Sequence, residues 1–193
     1  MSPTDAVSTE ARFEYRVFAP DLGATHELLR ARFRLDAHDG AGTSLDTYLL
    51  GPRRDRSVKV RDGAIDIKAL RDRDGALERW EPIARHSFPL ERRWVETELA
   101  AQLGVARIGT AHDPVSLDHL LRDVVPDRAE LRAEAVAKRR ERFARAALRA
   151  EHVDLAFRGA RSQSVAVESS AAAAVSAAVD ELALGRWPNR SYV

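Results

Sequence analysis

Ser57-Val58-Lys59-Val60-Arg61-Asp62-Gly63-Ala64-Ile65-Asp66-Ile67-Lys68 alternates charged and aliphatic side chains on both sides of an Asp-Gly pair. Alternation with period two marks a half-buried strand. An Asp-Gly pair between two such runs signals a tight hairpin, because both residues tolerate positive φ. The stretch predicts two antiparallel strands, 57–61 and 64–70. Val58, Val60, Ile65 and Ile67 lie on one face and Lys59, Arg61, Asp66 and Lys68 on the other. The second face is therefore charged, with both signs, rather than merely polar.

The same pattern recurs outward from this hairpin. Residues 12–18 alternate, as do 44–50, 77–82, 152–157 and 164–169. Glu14 and Arg16 share a face, as do Arg79 and Glu81. Asp154 alternates with Val153 and Leu155, and Glu168 with Val165 and Val167. Apolar residues at helical spacing mark helices at 24–33 and 91–103, another opening at Asp113-Pro114 and stopped before Pro126, and an Ala-rich helix at 171–184. Residues 127–150 fit either a continued helix or a charged strand at 136–143, with Lys138, Arg140 and Arg142 on one side. Residues 36–44 read as a loop, 1–10 as a loose tail and 11–193 as one domain.

Composition narrows the class. The 193 residues are 45% hydrophobic and 32% charged, with 31 basic and 30 acidic side chains for a net charge of +1. That balance argues against a nonspecific nucleic-acid partner. Only three of the basic residues are lysines, Lys59, Lys68 and Lys138. Cysteine is absent, which removes disulfides and thiolate chemistry. No apolar run is long enough to span a bilayer and no secretory signal is visible, so a cytoplasmic protein without membrane contact is the expectation. No Walker loop, dinucleotide fingerprint or HExxH helix occurs, and the six histidines are scattered without ligand spacing. No motif bears on oligomeric state.

Charged strand faces fit two architectures. One is an open sheet with one solvated face. The other is an α+β fold, a closed antiparallel β-barrel whose lumen is charged and whose outer face is covered by helices, which also removes the sheet edges. A lumen rich in Lys and Arg suits a small polyanion.

The order of elements resembles the CYTH superfamily, the triphosphate tunnel metalloenzymes. Arg12-Phe13-Glu14-Tyr15-Arg16 stands where that family has E-x-E-x-K. Asp46-Thr47-Tyr48-Leu49, Lys59-Val60-Arg61, Ile65-Asp66-Ile67-Lys68 and Arg79-Trp80-Glu81 resemble its following strands. Lys138-Arg139-Arg140-Glu141-Arg142 resembles its arginine strand, which favours strand over helix there. Val153-Asp154-Leu155, Val165-Ala166-Val167-Glu168 and Asn189-Arg190-Ser191-Tyr192 resemble its late acidic strands and closing turn. The resemblance implies hydrolysis of an inorganic or organic triphosphate in a basic tunnel, with nucleotide or polyphosphate as related ligands. Arg16, Lys59, Arg61, Lys68, Arg79, Arg140 and Arg142 would then clamp phosphates. Glu14, Glu81 and Glu168 would serve catalysis, and Glu14, Asp154 and Glu168 would hold Mg²⁺ or Mn²⁺. Arg12 and Ala166 replace two family carboxylates, which implies weak metal binding and reduced activity, with Arg12 facing the lumen and pairing with Glu14. The alternatives are a polyanion-binding protein of the same fold without turnover, and a protein- or RNA-binding scaffold.

Overall fold

The computed structural model describes residues 10–37 and 40–192. The tail expected at 1–10 lies outside the described residues except for Glu10. Among the described residues nine strands form one antiparallel sheet: β1 (Arg12–Ala19), β2 (Arg34–Leu35), β3 (Ala41–Leu50), β4 (Arg56–Arg61), β5 (Ala64–Asp74), β6 (Leu77–Ser87), β7 (Arg132–Arg145), β8 (Leu148–Phe157) and β9 (Ala160–Ser169). Their order is β2-β7-β3-β4-β5-β6-β1-β9-β8, and β8 pairs again with β7, so eight strands close a barrel. The two residues of β2 extend β3 along the same edge of β7.

The hairpin turns as expected. Asp62 and Gly63 have φ of 50° and 69°, the left-handed pair that matches strand twist. Residues 127–150 resolve in favour of a strand, since most of them form β7 and the start of β8. β3 begins at Ala41, within the expected loop. β5 and β6 run several residues past their sequence signals, through to a turn at 75–76 and to Ser87.

Apolar residues on the outer strand faces pack under helices. The helices Gly23–Arg32 and Ala172–Glu181 cover β1 and β9, burying Leu29, Val175 and Ala178 against Val17, Val165 and Val167. The helical runs 92–103, which includes a π-helical turn at Val95–Leu99, and 117–124 cover β4 and β5. There Leu99, Leu103 and Leu120 meet Val58, Val60, Ile65 and Ile67. Ser116 caps the second run by accepting from the His119 amide. A third cluster lies inside the barrel. Tyr48, Val136, Val153 and Leu155, with Phe18, Leu50 and Tyr192, fill the lumen toward the C-terminal ends of β1, β3 and β8. No helix among the described residues is long and apolar enough to cross a membrane.

Candidate functional site

The alternation that buries Val58 and Val60 outside turns Ser57, Lys59 and Arg61 inward, and β5 does the same with Asp66 and Lys68. Glu14 and Arg16 of β1, Arg140 and Arg142 of β7, and Glu168 of β9 face the same space. Together with Lys138, Arg149 and Glu151 they line a cavity of about 560 Å³. Eight basic and five acidic side chains form its wall, beside Tyr48, Trp80, Phe143 and Tyr192.

Two ion networks organise these charges. At the first, Asp46 is wholly buried between three cations. Arg61 grips both its oxygens, Lys138 Nζ lies 2.9 Å from Oδ2 and Arg140 3.7 Å from Oδ1. Ser44 donates to Oδ1 at 3.0 Å, and Lys138 also donates to the Tyr48 hydroxyl at 2.7 Å. Burial pushes the Asp46 carboxyl up, but the hydrogen bonds from Arg61 and the charge of Lys138 outweigh it and hold it well below the usual carboxylate range. Burial brings the Lys138 ammonium down to about 7, against the pull of Asp46.

The second network centres on Arg16. Its Nε lies 2.8 Å from Glu14 Oε1 and one terminal nitrogen 2.8 Å from Glu151 Oε1. Burial alone raises Glu151, but Arg16, Lys138 and Arg140 leave it at about 2. The closing turn anchors this strand. Asn189 accepts from the Arg16 amide at 2.7 Å and donates to the Glu14 and Ala76 carbonyls. That places the Tyr192 ring 4.9 Å from the Arg16 guanidinium carbon and 3.7 Å from Lys138 Nζ, positions suited to cation–π attraction. Lys59 is more open. Its closest carboxylate oxygen is Asp66 Oδ2 at 3.8 Å, and burial followed by the neighbouring Arg61 lowers it to about 8.

Three expected site residues lie elsewhere. Arg79 is exposed, with its guanidinium over the Phe13 ring at 5.8 Å, and Glu81 pairs with Arg71 on the outer face. On β6 the inward parity belongs to Trp80, whose indole donates to Glu78 at 3.2 Å. Asp154 also points outward, bonded to Arg139 at 2.5 Å and to Gln163 at 2.9 Å. Both errors have one cause. The apolar residues of these strands do not face the helices: Trp80, Val153 and Leu155 face the lumen. Arg12, expected to pair with Glu14, instead donates to Glu10 at 2.9 Å, while Arg16 takes Glu14.

Sequence reasoning missed Asp46, Glu151 and Arg149. Asp46 shares parity with Ser44 and Tyr48 in an expected strand and was legible there. Glu151 and Arg149 precede the residue at which the alternation of β8 becomes visible.

A divalent cation has a partial fit. Glu14 and Glu168 are direct cross-strand partners. Burial raises Glu168, which Lys68 opposes and the charges of Glu14 and Glu151 reinforce, a setting that favours a proton or a cation. Among the described residues no group of three His, Asp or Glu side chains is gathered as a metal cage. Two carboxylates still suffice for Mg²⁺ that arrives with substrate phosphates.

No family model matches the chain, and neither does any curated protein sequence. Solved structures match its fold. A conserved hypothetical protein from Pyrococcus furiosus aligns with a TM-score of 0.54 at 13% identity, over 93% of this chain and 97% of that one. A candidate adenylate cyclase from Bacillus halodurans aligns with a TM-score of 0.51 at 11% identity, over 95% and 96% of the two chains. Barrel closure, strand order and these alignments agree, and the chain shares the closed antiparallel barrel fold of these two structures.

Proposed function

We propose that the lumen binds the phosphate chain of an inorganic or organic triphosphate and hydrolyses it slowly with Mg²⁺ or Mn²⁺. The observation that carries this reading is the inner wall itself, where eight basic side chains from several strands converge on one cavity. Desolvated cations in fixed positions bind phosphate oxygens far better than exposed ones. Arg16, Arg61, Lys138 and Arg140 are held in place by buried Asp46 and half-buried Glu14 and Glu151, so they need little reorganisation when the anion enters. Lys59, Lys68, Arg142 and Arg149 supply further positive charge. Glu14 and Glu168 would hold the cation, which supplies neutralisation of the phosphate charge when bound. Burial raises Glu168, so at low pH a proton would compete with the cation for it. The same geometry limits turnover, because Glu14 already serves Arg16.

The Arg16–Glu14 pair favours a second reading, an anion-binding protein without turnover. Phosphate release from tripolyphosphate, measured with and without Mg²⁺ or Mn²⁺ beside calorimetric titration, separates the two. Cation-dependent release supports hydrolysis. Tight binding with no release supports the binding protein, and no binding overturns both.

A further inference from the structure

We infer that the lumen is a blind pocket that takes in only a free end of a linear phosphate chain. The inference rests on the triphosphate reading for its recognition of phosphate and goes beyond it in saying which chains can enter. Those with an unsubstituted terminal phosphate seat end-on, and chains capped at both ends stay out.

The interior of a barrel of this size is just wide enough for side chains to fill. Whether the lumen is a passage or a dead end therefore depends on the inward residues at each level. At one end they meet. β1 and β3 stand opposite each other, with three strands between them on either side of the ring. The Tyr192 ring bridges them. It stacks on Tyr48 of β3, with centroids 5.2 Å and planes 20° apart, and meets Phe18 of β1 edge-on at 5.1 Å. Rings at these separations are in contact, so no opening is left between them. The cavity reaches Tyr48 and Tyr192, and Phe18, Leu50, Val136, Val153 and Leu155 lie behind them as an apolar plug.

The inward residues change with distance from this plug. On β8 they run from exposed Arg149 through half-buried Glu151 to buried Val153 and Leu155. On β7 they run from half-buried Arg142 through buried Arg140 and Lys138 to Val136. Charge thus lines the cavity from its mouth down to the plug and stops there. Arg16 and Lys138 stand on the floor itself, 4.9 and 3.7 Å from the centre of the Tyr192 ring.

A chain end that reaches this floor brings its terminal phosphate to Arg16 and Lys138, and any group on its other end stays at the mouth beside Arg142 and Arg149. An internal phosphate could reach the floor only if the chain doubled back. That would lay two arms of like charge side by side in one cavity, where their repulsion is strong. A cap on the inner end would cover the same two cations without offering them charge.

Calorimetric titration of the intact chain with adenosine tetraphosphate, which has one free end, and with diadenosine tetraphosphate, which has none, tests this. The doubly capped compound is expected to bind at least ~100-fold more weakly, because the charged hydrogen bonds at the floor go unmade. Long linear polyphosphate of known mean length is expected to carry one protein molecule per chain end whatever its length, as sedimentation measures. A doubly capped compound that binds within about tenfold of the singly capped one, or a protein load that rises with chain length, overturns the inference. Tripolyphosphate titrated into the same preparation keeps the two readings apart. If it binds while capped and uncapped tetraphosphates bind alike, only the blind pocket falls, whereas absent tripolyphosphate binding removes the triphosphate reading as well.

Discussion

Asp46→Asn removes one negative charge while keeping the side chain's shape, at a position with no solvent contact. Arg61 and Lys138 then lose their counter-ion, and Arg140 loses a charge 3.7 Å away. Removing one partner of a buried ion pair costs about 3–5 kcal/mol, because the other charge stays buried and uncompensated. Domain stability totals about 5–15 kcal/mol, so the variant is expected to be folded but clearly weakened. The loss depends on pH in a direction that the structure sets. Lys138 titrates at about 7, and Asp46 holds it up against burial. At pH 6 the wild-type ammonium is charged and paired, whereas the variant must release its proton or bury it unpaired. At pH 8.5 Lys138 is mostly neutral in both proteins, and only the Arg61 and Arg140 parts of the difference remain. Urea denaturation at the two pH values is expected to show the larger loss at pH 6. A loss below about 0.5 kcal/mol, or one equal at both pH values, refutes the coupling between Asp46 and Lys138.

Further outcomes follow from the same geometry. Arg61→Ala and Lys68→Ala are each expected to weaken tripolyphosphate binding by about 1.5–3 kcal/mol per charged hydrogen bond lost, whereas Arg54→Ala, exposed on the loop before β4, leaves the titration unchanged. Arg79→Ala, Glu81→Ala and Asp154→Ala are expected to bind tripolyphosphate like the wild type, because all three side chains lie outside the lumen; a tenfold loss in any of them refutes that placement. Polyanion affinity is expected to fall from pH 7 to pH 9, about tenfold per pH unit for each proton taken up, as Lys138 and Lys59 lose protons from about 7 and 8 in the free protein. Calorimetry in buffers of different ionisation enthalpy is expected to show proton uptake on binding near pH 8. Ligand-free stability moves the other way in this window: both lysines are depressed by folding, so the unfolded chain binds more protons and their burial cost fades as pH rises.

Much of the barrel was legible in the sequence because alternation is a local property. The 57–68 hairpin shows both its turn and its faces within twelve consecutive residues, and the charged parity of β1, β4, β5 and β7 places Glu14, Arg16, Lys59, Arg61, Lys68, Arg140 and Arg142 on the cavity wall. The misplacements arise where side-chain polarity and direction part company. A closed barrel has two insides, one under the helices and one in the lumen, and Val153, Leu155 and Trp80 belong to the second. No local pattern tells these apart, because the distinction depends on which strands sit opposite across the barrel. Asp46 illustrates a different gap. Its role comes from Arg61, Lys138 and Arg140, which lie on two other strands, the last two far along the chain on β7.

The barrel closes where β1 meets β9, and Tyr15 bonds the carbonyl of Trp187, 172 residues further along the chain. During synthesis β1 therefore leaves the ribosome with both of its edges unpaired, and it gains its partner β9 only after the seven intervening strands have been made. Contacts so distant in sequence are slow to form, and an unpaired edge invites association with other chains while it waits. The alternating charges of Arg12, Glu14 and Arg16 lie on this waiting strand. They keep its future lumen face soluble until the barrel closes, so the charges of Glu14 and Arg16 that later line the cavity first act as protection against aggregation.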